Sequence, residues 1–165
     1  MIEHRLEAGQ LPGSSQPAVP PAVRVAVRVM YAGAIASVIH AVVALATHGA
    51  MKAALAQKHP LWSPGTLSKL TTITVIATAV LALIGAVLFI AIARASKRGK
   101  NAARNTAAVL GAAGVLISIY DVEIGRSTAT LAWGFAVTAI GLASVVLLWL
   151  PSSGAYFRYF KRPQL

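Results

Sequence analysis

Uncharged, largely apolar stretches alternate along this chain with short segments that collect its Lys, Arg, Asp and Glu. Residues 29–47 hold 19 positions without a charge, 71–93 hold 23, 106–120 hold 15 and 129–150 hold 22. A hydrocarbon core of about 30 Å takes roughly 20 helical residues, so the first, second and fourth runs predict transmembrane helices outright. The third reaches that length as 103–122, with Arg104 snorkelling at one end and Asp121 passed near the other. A re-entrant segment is the alternative for the third run. The pattern predicts an all-α, integral membrane four-helix antiparallel bundle over residues 23–150, with spans at about 29–47, 71–93, 103–122 and 129–150.

The flanks read differently. Residues 1–22 carry Pro12, Pro17, Pro20 and Pro21 among Gly, Ser and Gln without apolar periodicity, which predicts a disordered Pro-rich tail, with Pro21 opening the first helix. Between the first two runs, Met51, Ala54 and Leu55 against Lys52, Gln57 and Lys58 predict that the first helix continues beyond the membrane surface or lies down on it. Pro60 and Pro64 are expected to stop it, Trp62 to sit at headgroup depth, and Thr66 or Ser68 to cap the next helix. Asp121 to Thr128 reads as a short turn. After Pro151, Tyr156, Phe157, Tyr159 and Phe160 interleave with Arg158, Lys161 and Arg162, so 151–165 is expected to form an aromatic and basic interfacial tail.

Charge gives this pattern a direction. Fifteen Lys and Arg stand against four Asp and Glu in 165 residues. Arg24 and Arg28, then Arg94, Lys97, Arg98, Lys100 and Arg104, then Arg158, Lys161 and Arg162 fall on one side of the predicted spans. Only Lys52, Lys58, Lys69 and Arg126 fall on the other. Basic residues are retained on the cytoplasmic side, so both termini are expected there, with the basic loop against anionic lipid headgroups. The net charge of +11 is thereby assigned to topology, and no nucleic-acid partner is expected. Arg24, Arg28 and the Ala44-Leu45-Ala46 triplet also resemble a cleavable signal peptide, but Glu3 and Glu7 upstream and His40 within the apolar run argue against that reading.

Composition then removes whole classes of chemistry. The chain is 57% hydrophobic and 12% charged, without cysteine, which excludes an ordinary soluble domain, disulfides, thiolate metal sites and Cys-based catalysis. Small residues recur at helical spacing: Gly33, Ser37 and His40 in the first span, Gly85 in the second, Gly111 and Gly114 in the third, Gly134 and Gly141 in the fourth. Lipid-embedded helices associate through such residues, so these stripes are expected to pack the bundle and to serve in self-association. His40 is the intramembrane polar candidate, read either as a proton-responsive or ligand-binding group or as a neutral imidazole bonded to a neighbouring helix. The charge-free runs contain no acid, which argues against proton-coupled efflux. His48, Asp121, Glu123 and Arg126 are expected to form a polar collar at the outer end. A metal site from His48, His59, Asp121 and Glu123 is permitted chemically, but no ligand spacing supports it, and neither cofactor nor catalytic residue is expected.

Two segments carry a resemblance. Lys97-Arg98-Gly99-Lys100-Asn101-Ala102-Ala103-Arg104 leading into Val109-Leu110-Gly111, and Leu147-Leu148-Trp149-Leu150-Pro151-Ser152-Ser153-Gly154-Ala155-Tyr156-Phe157, resemble segments of small four-span integral membrane proteins of actinobacteria, mycobacteria among them. Such proteins often have Trp where Ala102 stands and Asn where Gly154 stands. The resemblance implies an inner-membrane location and a Pro-rich cytoplasmic tail, and it brings no activity, cofactor or catalytic residue. The expectation is a non-catalytic plasma-membrane protein that packs with itself or with a larger membrane assembly. The alternative is a small transporter or channel subunit whose path passes His40.

Overall fold

A computed structural model describes residues 19–123, 126 and 128–161. These form six helices: α1 (Pro21–Ala46), α2 (His48–Lys58), α3 (Pro64–Lys97), α4 (Ala102–Glu123), α5 (Thr128–Trp149) and α6 (Pro151–Lys161). No strand occurs among the described residues. At 1.5 Å per residue, the 26 residues of α1 span about 39 Å. The 34 of α3 span about 51 Å, and the 22 each of α4 and α5 about 33 Å. All four are long and apolar enough to cross a bilayer, and the chain is a multi-pass membrane protein. Residues 1–18, the greater part of the expected tail, lie outside the described residues.

The distribution of side chains is that of a bundle surrounded by lipid. Val87 is 66% exposed, Val109 68% and Leu116 68%, whereas Ala26, Ser37, Ala93 and Ala103 are buried. Bulky hydrocarbon faces outward and small residues face inward, because lipid tails give no reason to hide leucine and helices gain only by approaching closely. The first helix is the hub, packed along both α3 and α5; α4 rests on α5 and touches α3 only lightly.

Local chemistry sets the helix ends. Pro21 opens α1, as expected, at a position where no amide hydrogen is needed, and Val23 two residues on is already fully buried. Thr47 interrupts α1 and α2 as a single residue at φ −95° and ψ 15°. Its hydroxyl donates to the Val43 carbonyl at 2.8 Å and meets the Thr130 hydroxyl of α5 at 3.0 Å. Met51 and Leu55 of α2 then pack with Leu67 and Val75 of α3. Two expectations fail in this segment. Pro64 opens α3 instead of stopping a helix, and the cap is Ser63, whose Oγ accepts from the Thr66 amide at 3.2 Å; the pre-proline residue is held extended and is therefore the natural half-in position. At the other end of α3, Gly99 takes φ 66°, the left-handed conformation that closes helices at low steric cost, and the Lys100 amide returns to the Ala95 carbonyl at 3.2 Å.

The start of α1, the end of α3, the start of α4 and the end of α5 share one core, in which Met30, Ile92, Ala107 and Leu148 are buried. This is the basic end of the bundle. The expected interfacial tail is in part a piece of this core. Pro151 ends α5 and opens α6, and the helical turn carries Tyr156 and Phe157 inward, 5% and 1% exposed, while Arg158 and Tyr159 remain outside. The Tyr156 hydroxyl donates to the Lys97 carbonyl at 2.8 Å and ties α6 to α3.

A polar cluster inside the bundle as candidate functional site

His40 lies seven residues before the break at Thr47, about 10 Å inside the end of α1. It is 8% exposed. Across from it, on α5, a methyl group placed on Gly134 would stand 3.4 Å from His40 Cε1 and 3.9 Å from Asp121 Oδ2. The absence of a side chain at Gly134 therefore lets a histidine from α1 and an acid from α4 share one site. Arg126, from the connection after α4, turns back into the same place. Its Nε donates to Asp121 Oδ1 at 2.5 Å, and its Nη1 donates to the Thr78 hydroxyl of α3. Both charged side chains are buried, 8% and 7% exposed, and both act electrostatically on His40.

This corrects the expected outer collar. Asp121 and Arg126 leave it for the interior, because Asp121 lies within the last turn of a helix that continues to Glu123 and its phase there points at α1. The charge-free windows ended one residue too early to include an acid that the bundle nevertheless encloses. His48 and Glu123 stay outside and do not meet. His48 Nε2 pairs with the Thr72 hydroxyl at 3.3 Å, and the Glu123 carbonyl accepts from Lys58 Nζ at 2.6 Å. Among the described residues, no three His, Asp or Glu side chains converge as metal ligands would. His59 instead stacks on Trp62 with ring centroids 3.8 Å apart.

The cluster forms one end of a cavity of about 300 Å³ that extends between all four long helices. Its wall runs along α3 from Thr78 to Ile92, fourteen residues or about 21 Å, so the cavity is long and narrow. The wall is mainly apolar. Here the small-residue stripes take an unexpected part. Gly33 does bring helices together, since a methyl there would stand 3.0 Å from Ile140 and Phe89. Ser37, Gly85, Gly111, Gly114, Gly134 and Gly141 all border the cavity, and beside Gly85 the nearest atom to such a methyl is Ser37 Oγ, 3.8 Å away. Because α3 and α4 barely touch, these small residues leave space where α3 faces α4.

Hydroxyls buried in the bundle mostly satisfy themselves on their own helix. Thr71 bonds to the Leu67 carbonyl, Thr78 to Thr74, Ser118 to Gly114 and Ser144 to Ile140, at 2.7 to 2.9 Å. Ser37 Oγ and His40 Nε2 do not; both are buried without a hydrogen-bond partner. Three residues apart on α1, they occupy one helical face, and both line the cavity. Buried polar atoms left unpaired are uncommon in folded proteins and call for a physical explanation.

The other predicted positions lie at the basic end. Arg94, Lys97, Arg98, Lys100 and Arg158 are exposed, with Lys97 Nζ 5.4 Å from the Tyr31 ring centroid. Arg104 is placed over Trp149 and Phe157. The Lys161 side chain and Arg162 lie outside the described residues. No known protein family, curated protein or solved structure matches this chain.

Proposed function

We propose that this protein is a non-catalytic multi-pass component of the plasma membrane, with both termini cytoplasmic, and that it holds a single-chain amphiphile in the cavity between its helices. The carrying observation is the pair of unpartnered polar atoms, Ser37 Oγ and His40 Nε2, on two residues that line a mainly apolar cavity. A volume of about 300 Å³ is at the lower end for small-molecule sites, and its length suits a hydrocarbon chain better than a compact ring system. Arg126 is already neutralised by Asp121, so the head that fits is uncharged, with a hydroxyl or carbonyl to reach His40 and Ser37. The orientation rests on the excess of Lys and Arg at one end of the bundle.

Equilibrium binding of a radiolabelled long-chain alcohol to the detergent-purified full chain tests this. Saturable one-to-one binding is expected. His40→Leu should weaken it about two- to tenfold, the worth of one hydrogen bond, and Gly85→Leu, which fills the cavity beside Ser37, should abolish it. A folded wild-type protein that binds no alcohol saturably would overturn the reading.

A second reading, a small transporter whose path passes His40, is favoured by Asp121. This carboxylate lies inside the bundle next to an imidazole, and intramembrane acids of this kind serve proton relays. Proteoliposomes separate the two readings. Release of trapped amphiphile driven by a pH gradient and lost in His40→Ala supports transport, and binding without such release supports a holding role.

A further inference from the structure

At the basic end, away from the cluster just described, α4, α5 and α6 enclose a second cavity of about 420 Å³. Arg104 reaches into it from the first turn of α4. Its guanidinium carbon stands 4.7 Å from the Trp149 ring centroid and 5.4 Å from that of Phe157, so two aromatic faces fix the planar group in place. Its Nε is buried without a hydrogen-bond partner. Arg158 and Asn101 also line the cavity. On the remaining side is Gly154, where even a methyl group would stand 4.0 Å from Arg104 Nη1.

Nothing described in this part of the molecule neutralises the two arginines. The only carboxylates among the described residues are Asp121 and Glu123, and Asp121 is seventeen residues along α4 from Arg104, about 25 Å away. A held guanidinium with an unpaired N–H, a second arginine and an amide around one cavity form the donor set that recognises a tetrahedral oxyanion. The surrounding Arg94, Lys97, Arg98 and Lys100 raise the local concentration of anions. The cavity is larger than a bare phosphate requires, and Leu150 and Pro151 give it an apolar side at the end of a membrane-crossing helix. We propose that this cup binds a phosphate group, with Arg104 as the fixed ligand and Arg158 as the mobile one. The phosphate is either that of an anionic lipid or a soluble one. This site is independent of the amphiphile cavity.

The test reconstitutes the full chain into phosphatidylcholine vesicles containing a minor fraction of phosphatidylglycerol, re-extracts it in mild detergent and counts retained lipids by mass spectrometry. The wild-type protein should retain phosphatidylglycerol about tenfold over its bulk ratio. R104Q/R158Q should fall to the bulk ratio, while R24Q/R28Q, with the same charge loss on exposed positions of α1 at the same end but outside the cup, should keep the enrichment. Persistence of the enrichment in millimolar inorganic phosphate assigns the cup to the lipid. Saturable binding of inorganic phosphate that removes the enrichment and requires Arg104 assigns it to a free anion. Undiminished phosphatidylglycerol enrichment in R104Q/R158Q, or neither lipid enrichment nor phosphate binding by the wild type, overturns the proposal. Should R104Q/R158Q lose its helical circular dichroism, R104K keeps the charge but not the planar fork, and unchanged enrichment in it would equally count against a fixed guanidinium ligand.

Discussion

Arg126 Nε lies 2.5 Å from Asp121 Oδ1, and this pair, five residues apart in the chain, turns into the bundle beside His40. An ion pair in such surroundings gains from mutual attraction but has lost most of its solvation. Breaking it from one side is therefore far worse than removing it whole. Arg126→Gln should destabilise the protein by about 3–5 kcal/mol, and D121N/R126Q should cost clearly less than the two single changes added together. Unfolding in mixed micelles, arranged as a double-mutant cycle, measures the difference. Additive effects would show that the pair is screened by water.

The two kinds of glycine inside the bundle should respond in opposite ways. At Gly33 a methyl group meets Ile140 and Phe89 at 3.0 Å, so Gly33→Ala should destabilise by about 1–3 kcal/mol through overpacking. At Gly85 the methyl meets Ser37 Oγ at an ordinary contact distance of 3.8 Å, and Gly85→Ala should be neutral or stabilising by up to about 1 kcal/mol, because alanine favours the helix. The same unfolding assay reports both.

Docking of α6 can be tested by comparing two aromatic residues in the same turn. Phe157 is 1% exposed and Tyr159 46%. Phe157→Ala should cost about 3–5 kcal/mol, as large-to-small changes in a core do, and Tyr159→Ala, on the exposed side, should cost clearly less. Equal, small effects would mean that the segment lies on the membrane surface, as its aromatic and basic alternation suggests by itself.

Alkaline pH should loosen the same contact. Burial raises the Tyr156 phenol above its ordinary value near 10, and the phenol donates to the Lys97 carbonyl. Above about pH 10 the unfolded chain loses this proton before the folded one does, so the folded state binds more protons and stability falls as pH rises through that window. Tyr156→Phe should remove this part of the slope. An identical slope in the variant would assign the alkaline loss to other groups.

The four long helices were legible because exclusion of charge is a property of the linear chain: no run such as 71–93 can be read in another way. The Ser37 and His40 face was legible for a related reason, since helical spacing puts both residues on one side of α1. The partners of that face were not. Whether Asp121 points into the bundle depends on the phase of the last turn of α4, and whether Arg126 follows depends on how a loop residue folds back. Neither leaves a periodic trace. Stripes of glycine likewise signal that backbones can approach, but not which ones do: Gly33 of α1 is met by Phe89 of α3 and Ile140 of α5, whereas α3 and α4, with stripes of their own, barely touch. In α6 the alternation of aromatic and basic residues was plain, but the inward turn of Tyr156 and Phe157 depends on the bend at Pro151.

Unequal rod lengths have a mechanical consequence. A slab about 30 Å thick matches α4 and α5, whereas α3 at about 51 Å has some 20 Å to spare. It must therefore lean, stand proud of the lipid, or do both. Thicker bilayers would stretch only the shorter pair, so membrane thickness bears unequally on the two walls of the α3–α4 gap.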